Sequence, residues 1–267
     1  MFNSRRLSPE RADLQFEVMA YLVQNFGRPQ RPSVPLSRHM SKGLESLHWS
    51  DSDTRSVFDW AQDNFGAMAA QSGMEDFAMC LVANDGNLDV SQIAAHRRLE
   101  SLAMGQNPYH QTAGSAILYD PRDCTEPGHF AAIIALQLGK LRAAGFRSRA
   151  PLSPRAQRMV TVIAAAFNGQ GFVLAHLPRQ VSAYLTPDED LRAIPHKIVT
   201  ESLCFASCLA LHIDGISEAQ IIEAYGSWMT KPFRRSVRRA CRQIKARGQA
   251  LSALQNLMSA ERRLQMA

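Results

Sequence analysis

The chain has 267 residues, 46% of them hydrophobic, 20% charged and 7% aromatic, with a formal net charge of +6. That apolar fraction belongs to a globular protein. It excludes long-range disorder, collagen and extended coiled-coil arrays, and the length allows one large or two modest domains. A basic excess points towards an acidic partner: nucleic acid, an anionic membrane surface or an acidic protein.

Residues 1–8 contain no apolar core, so no signal peptide is expected, and no apolar run reaches the ~18 residues of a membrane span. Helical periodicity then dominates. Residues 11–26 place Leu14, Phe16, Val18, Met19, Leu22 and Val23 on one face, closed by Gly27, Arg28 and Pro29. A second amphipathic helix is predicted over 51–72, capped by Asp51 or Asp53, with Val57, Phe58, Trp60 and Ala61 inward. Residues 76–83 and 90–104 read as two further helices separated by a turn at 84–87. Residues 105–128 are loop-like, with 116–119 as a short strand. Residues 129–144 form a strongly apolar helix (Ile133, Ile134, Leu136, Leu138, Leu141) ended by Gly145.

The basic, small and proline residues of 147–154 read as a linker. They divide the chain into a helical domain at 1–150 and a second helical domain at 151–267. Ser153-Pro154 is a helix start, and helices are expected over 155–167, 172–185, 195–213, 217–225, 232–245 and 251–265. Leu254, Leu257, Met258 and Leu264 give the last of these an apolar side, for dimerisation, docking or capping of its own domain. The fold class expected is mainly α.

Motifs for chemistry are absent. There is no P-loop, dinucleotide fingerprint, HExxH, GxSxG or paired CxxC, so neither an enzyme nor a cofactor is expected. The five cysteines (Cys80, Cys124, Cys204, Cys208, Cys241) are scattered and fit reduced thiols in a cytoplasm. Cys204, Cys208 and His212 are four apart on one helix. Three such residues diverge over ~12 Å of rise, too far for one ion, so no metal is expected. Asp120, Asp123 and His129 near Cys124 lack a base–nucleophile spacing and are read as loop and cap residues. Trp228 is expected in the core, and Trp49 and Trp60 share no pattern with it.

The charge has an address. Residues 1–150 hold 15 Lys+Arg and 16 Asp+Glu, a net of −1, whereas residues 151–267 hold 15 and 8, a net of +7. No acid lies between Glu223 and Glu261. On a helical projection of 233–245, Phe233, Val237, Ala240, Cys241 and Ile244 fill one arc. Arg234, Arg235, Arg238, Arg239, Arg242 and Lys245 fill the other. Like charges so arranged repel, and phosphates would relieve them. The alternatives are a solvated face or one paired with acids of residues 1–150. Upstream, 216–226 is a short capped helix ending in glycine, so 217–246 has the pattern of a helix-turn-helix.

Here the chain resembles a known family. The stretch Leu203-Cys-Phe-Ala-Ser-Cys-Leu-Ala-Leu-His-Ile-Asp-Gly-Ile-Ser-Glu-Ala-Gln-Ile-Ile-Glu-Ala-Tyr-Gly226 is similar to the helix pair of the C-terminal DNA-binding domain of the DnaA replication-initiator family. The likeness runs through Ala206, Leu209, Ala210, Ile213, Ile221, Ala224 and Gly226, with Tyr225 where the family usually has Phe. Val237-Arg-Arg-Ala-Cys-Arg-Gln-Ile244 resembles the end of its recognition helix. Val181-Ser-Ala-Tyr-Leu with Asp190-Leu191 resembles its first helix, more loosely. The resemblance covers about residues 175–246. Phe233, Arg234, Arg235 and Ser236 replace the family's Asp-His-Thr-Thr, residues 227–230 lengthen the turn, and the ATPase module is absent.

The resemblance implies a DNA-binding fold with another target sequence. The expected function is sequence-specific binding of double-stranded DNA by helix 232–246 in the major groove, in a bacterial or phage regulator of transcription or replication. The expected contacts are Thr230, Lys231, Arg234, Arg235, Ser236, Arg238, Arg239, Arg242 and Lys245. Among these, Lys231, Arg238 and Arg242 would hold phosphates, and Arg234, Arg235 and Ser236 would reach base edges. Residues 1–150 are assigned to dimerisation, sensing or a protein partner, in a cytoplasmic, nucleoid-associated chain with no membrane. The rival reading is a non-enzymatic adaptor whose basic helix docks on an acidic protein.

Overall fold

A computed structural model describes residues 7–31, 57–84, 115–185, 195–227 and 229–265. The described residues are mainly α-helical, with one pair of strands. In chain order they form α1 (Pro9–Phe26), α2 (Val57–Gln71), β1 (Met79–Ala83), β2 (Ser115–Tyr119), a 3-10 turn (Pro121–Thr125), α3 (Pro127–Ala143), α4 (Pro154–Phe167), α5 (Gly171–His176), α6 (Pro178–Leu185), α7 (His196–Ile213), α8 (Glu218–Tyr225), α9 (Lys231–Lys245) and α10 (Gly248–Gln265).

Several helix starts are written in the local sequence. Ser8 and Ser153 each stand before a proline in the first turn and accept a backbone N–H, from Arg11 and Ala156. Gly27 and Gly145 take positive φ just after α1 and α3, a backbone that a side chain would strain. The expected helix over 172–185 is two helices, α5 and α6, divided at Leu177 and Pro178. Pro178 forces that break, because it has no N–H for the ladder and restricts the residue before it.

One expected helix is corrected. Residues 79–83 form β1, which pairs in parallel with β2 in the register Met79 to Ser115 through Ala83 to Tyr119. Five residues are too few to bury a helical face, and a parallel partner supplies the hydrogen bonds that the segment lacks locally. The short strand expected at 116–119 is β2. Phe58, expected inward, is 49% exposed, whereas Ala61 of the same helix is fully buried. The Asp51 or Asp53 cap, the helix over 90–104, Trp49 and Trp228 lie outside the described residues.

The core runs through both halves of the sequence. The 147–154 segment joins α3 to α4, and these two helices make the most extensive helix–helix contact among the described residues. Gly139 permits that approach: a Cβ there would lie 2.5 Å from the Thr161 carbonyl oxygen. Helix α1 packs on α4 and α10, so the N-terminal segment is built into the C-terminal core. Leu254 and Met258 of α10 are buried on that side. At the centre lies α7, buried from Val199 to Ile213 apart from Thr200. A helix buried on all sides requires neighbours all round, and α4, α5, α6, α9 and α10 provide them. No single described helix is long and apolar enough to cross a membrane. The pair α7 and α8 passes that test only together, across a 115° bend.

Candidate nucleic-acid interface

Helix α8 begins with a capping box, in which the Ser217 hydroxyl accepts from the Gln220 N–H and the Gln220 side chain accepts from the Ser217 N–H. Such caps contribute roughly 1 kcal/mol each. The helix ends at Gly226, where an added Cβ would meet the Ile222 carbonyl oxygen at 2.2 Å. A short turn follows. Thr230 then caps α9 by accepting the Phe233 N–H at 3.4 Å, with Pro232 in the first turn.

The apolar arc of α9 is the predicted one. Phe233, Val237, Ala240, Cys241 and Ile244 are all buried, chiefly against α7. Phe233 packs on α5: its ring meets Phe172 edge-on at 5.9 Å and stacks on His176 at 4.4 Å. Tyr225, at the end of α8, meets the same Phe172 at 5.5 Å. These rings bind the turn between α8 and α9 to α5. Burial lowers the His176 pKa, favouring the neutral imidazole in the stack. Phe233, which the sequence resemblance expected at a base-reading place, therefore faces the core.

The polar arc divides into three groups. Lys231, Arg235, Arg238 and Arg242 are exposed and meet no carboxylate among the described residues. Their spacing of four, three and four residues puts them in one row, ~16 Å long at 1.5 Å per residue. At the margins, two arginines are engaged. Arg234 folds back, its Nε donating to the Met229 carbonyl at 3.1 Å. Arg239 turns towards α7, its Nη1 lying 2.5 Å from Glu201 Oε1, with side chains 23% and 9% exposed. Lys245 stands 4.0 Å from Glu218. Beyond α9, Arg247 approaches Asp13 of α1 at 3.5 Å.

The site residues thus do not form a single set. Thr230 is exposed but serves as a cap, and Ser236 is half-buried on the flank. Arg239 is a strut between helices. The acid that holds it lies 38 residues upstream and comes from the C-terminal half, which a helical projection of α9 alone does not reveal.

The other groups weighed from sequence take structural roles. Asp120 and Asp123 make a reciprocal cap around the 3-10 turn. The Arg122 guanidinium and backbone N–H lower the Asp120 carboxyl to a pKa of about 2. His129 Nδ1 lies 3.8 Å from Asp123, and burial raises the Cys124 thiol to about 11. Among the described residues no group of three or more His, Cys, Asp and Glu side chains has the geometry of a metal site. No protein-family model matches the chain, and no curated protein or solved structure matches it either.

Proposed function

We propose that this protein binds double-stranded DNA through α9, with α8, the turn and α9 acting as a helix-turn-helix. The observation that carries this reading is the row Lys231, Arg235, Arg238 and Arg242, exposed and without a carboxylate among the described residues. On the same helix Arg234, Arg239 and Lys245 find a carbonyl or an acid. Four cations kept apart from available acids repel each other, and a polyanion relieves that repulsion while releasing counterions. An α-helix of 10–12 Å diameter also fits a major groove ~12 Å wide. The likeness of 175–246 to the DnaA-type domain supports the same reading.

In this mechanism Lys231, Arg238 and Arg242 fix register on phosphates, and Arg235 in the second turn reads a guanine edge. Arg234 steadies the turn from its bond to Met229. A regulator of transcription or replication is the role we assign, with the surface of residues 1–150 that does not pack on the C-terminal helices available for a partner or a second copy.

The test is in vitro selection of bound duplexes, followed by titrations across a salt series. Arg238→Ala is expected to weaken all sequences alike and reduce the salt slope by about one. Arg235→Ala is expected to relax preference at one base pair, where a good contact contributes ~1–3 kcal/mol. Unchanged DNA binding in both variants overturns the assignment. If wild-type protein ignores DNA at low salt but holds an acidic protein through the same row, the adaptor reading replaces it.

A further inference from the structure

The underside of α9 holds chemistry that DNA binding does not use. Cys208 of α7 and Cys241 of α9 are both fully buried, and their thiols face each other across the contact between these helices. The Cys208 thiol also donates to the Val237 carbonyl, one turn before Cys241, at 3.9 Å. His212, one turn beyond Cys208, presents its ring to the Cys241 thiol. That ring is 5% exposed, and neither nitrogen is aligned for a hydrogen bond. A buried imidazole with both nitrogens unpartnered is costly. It is also a proton acceptor held ready beside a thiol.

We propose that Cys208 and Cys241 are a dithiol switch, closed by a hydroperoxide into a disulfide that staples α9 to α7, with His212 taking the proton of the attacking thiol. The Cys241 sulfur attacks the O–O bond, forming an S–O bond and expelling alkoxide or hydroxide, which takes up the proton. Cys208 then attacks the sulfenic sulfur; the S–S bond forms, the S–O bond breaks and water leaves. Two thiols lose two electrons in total and the peroxide gains them.

The electrostatics agree with this order of events. The neighbouring Cys208 thiol and then the His212 ring lower the Cys241 pKa, and burial raises that of Cys208. Cys241, the thiol that the His212 ring approaches, is the attacking sulfur, and Cys208, bonded to the Val237 carbonyl, the resolving one. Cys204, one turn earlier on α7, is raised by burial and stays a thiol. Because both sulfurs are closed off, a small peroxide entering as α9 loosens from α7 is the oxidant that fits. The proposal rests on the packing of α9 on α7 and is independent of what the exposed face binds.

The test treats the intact protein with hydrogen peroxide, unfolds it, alkylates the remaining thiols and maps the peptides by mass spectrometry. A 208–241 disulfide is expected, with Cys204 alkylated and a melting temperature several degrees higher that dithiothreitol restores. Cys241→Ala and Cys208→Ala should each keep the reduced protein folded and abolish the rise. His212→Gln should slow closure about tenfold. If Cys208 and Cys241 are both alkylated after a dose that oxidises the exposed Cys80, or if Cys204 forms the bridge instead, the proposal is overturned.

Discussion

Arg142 of α3 and the arginines of α9 place the same side chain in opposite surroundings. Arg142 is 4% exposed and has no carboxylate among the described residues. Its Nη2 donates to the Ser72 and Gly73 carbonyls at 2.6 and 3.1 Å, and its Nε to Asn168 Oδ1 at 3.0 Å. The Phe26, Phe77 and Phe167 rings surround the guanidinium at 4.7, 5.3 and 5.9 Å from their centroids. Burial lowers its pKa to about 10, and the fixed acceptors and rings offset that penalty. Arg235 and Arg238 have no such cage and stand in water. A buried arginine is therefore a structural joint here, linking the end of α2 to α3 and α4, whereas the exposed row is surplus to the fold.

That contrast predicts where substitution unfolds the protein and where it only blunts recognition. Arg142→Met strips donors from two carbonyls and an amide at once. It should destabilise by about 3–5 kcal/mol in urea unfolding, and a loss below about 1 kcal/mol would deny Arg142 its structural role. Glu201→Gln should cost about 1–2 kcal/mol, since the pair it breaks is mostly buried, and should leave the salt slope of any DNA binding unchanged. A slope change in that variant would return Arg239 to the binding surface. Arg238→Ala should alter stability by no more than about 0.5 kcal/mol while reducing DNA affinity. A large stability loss there would erase the distinction between the two regions.

The smallest effect concerns a third arrangement, the exposed pair of Asp120 and Arg122. The Asp120 pKa is lowered from 3.8 to about 2, first by the Arg122 side chain. A depressed carboxyl stabilises the fold above its unfolded pKa and ceases to do so as pH falls through the folded value. The contribution should be complete above pH 4 and disappear towards pH 2. A carboxyl-carbon NMR titration of Asp120 with its midpoint near 3.8 would refute this.

Much of the helical framework is legible because caps and periodicity are local. Ser153-Pro154, Ser217 with Gln220, and the two arcs of α9 can all be read within a few residues. β1 cannot, since its partner lies 36 residues away and a parallel ladder leaves little periodic trace in a five-residue segment. The packing of α1 on α4 and α10 is equally hidden, because nothing in an amphipathic stripe names the surface it will meet. Within the candidate site, the exposed row followed from periodicity. The withdrawal of Arg234 to Met229 and of Arg239 to Glu201 did not.

By itself the sequence determined the mainly helical class, the helix starts written by caps, and an arginine-rich face on one C-terminal helix. Those features depend on short-range hydrogen bonds and on a 3.6-residue period, both carried in contiguous residues. Only the tertiary structure decided which of those arginines remain unpaired, and that Cys208, His212 and Cys241 converge beneath them. Such meetings depend on long-range packing, where an acid or thiol on one helix finds its counterpart only after the core has fixed both.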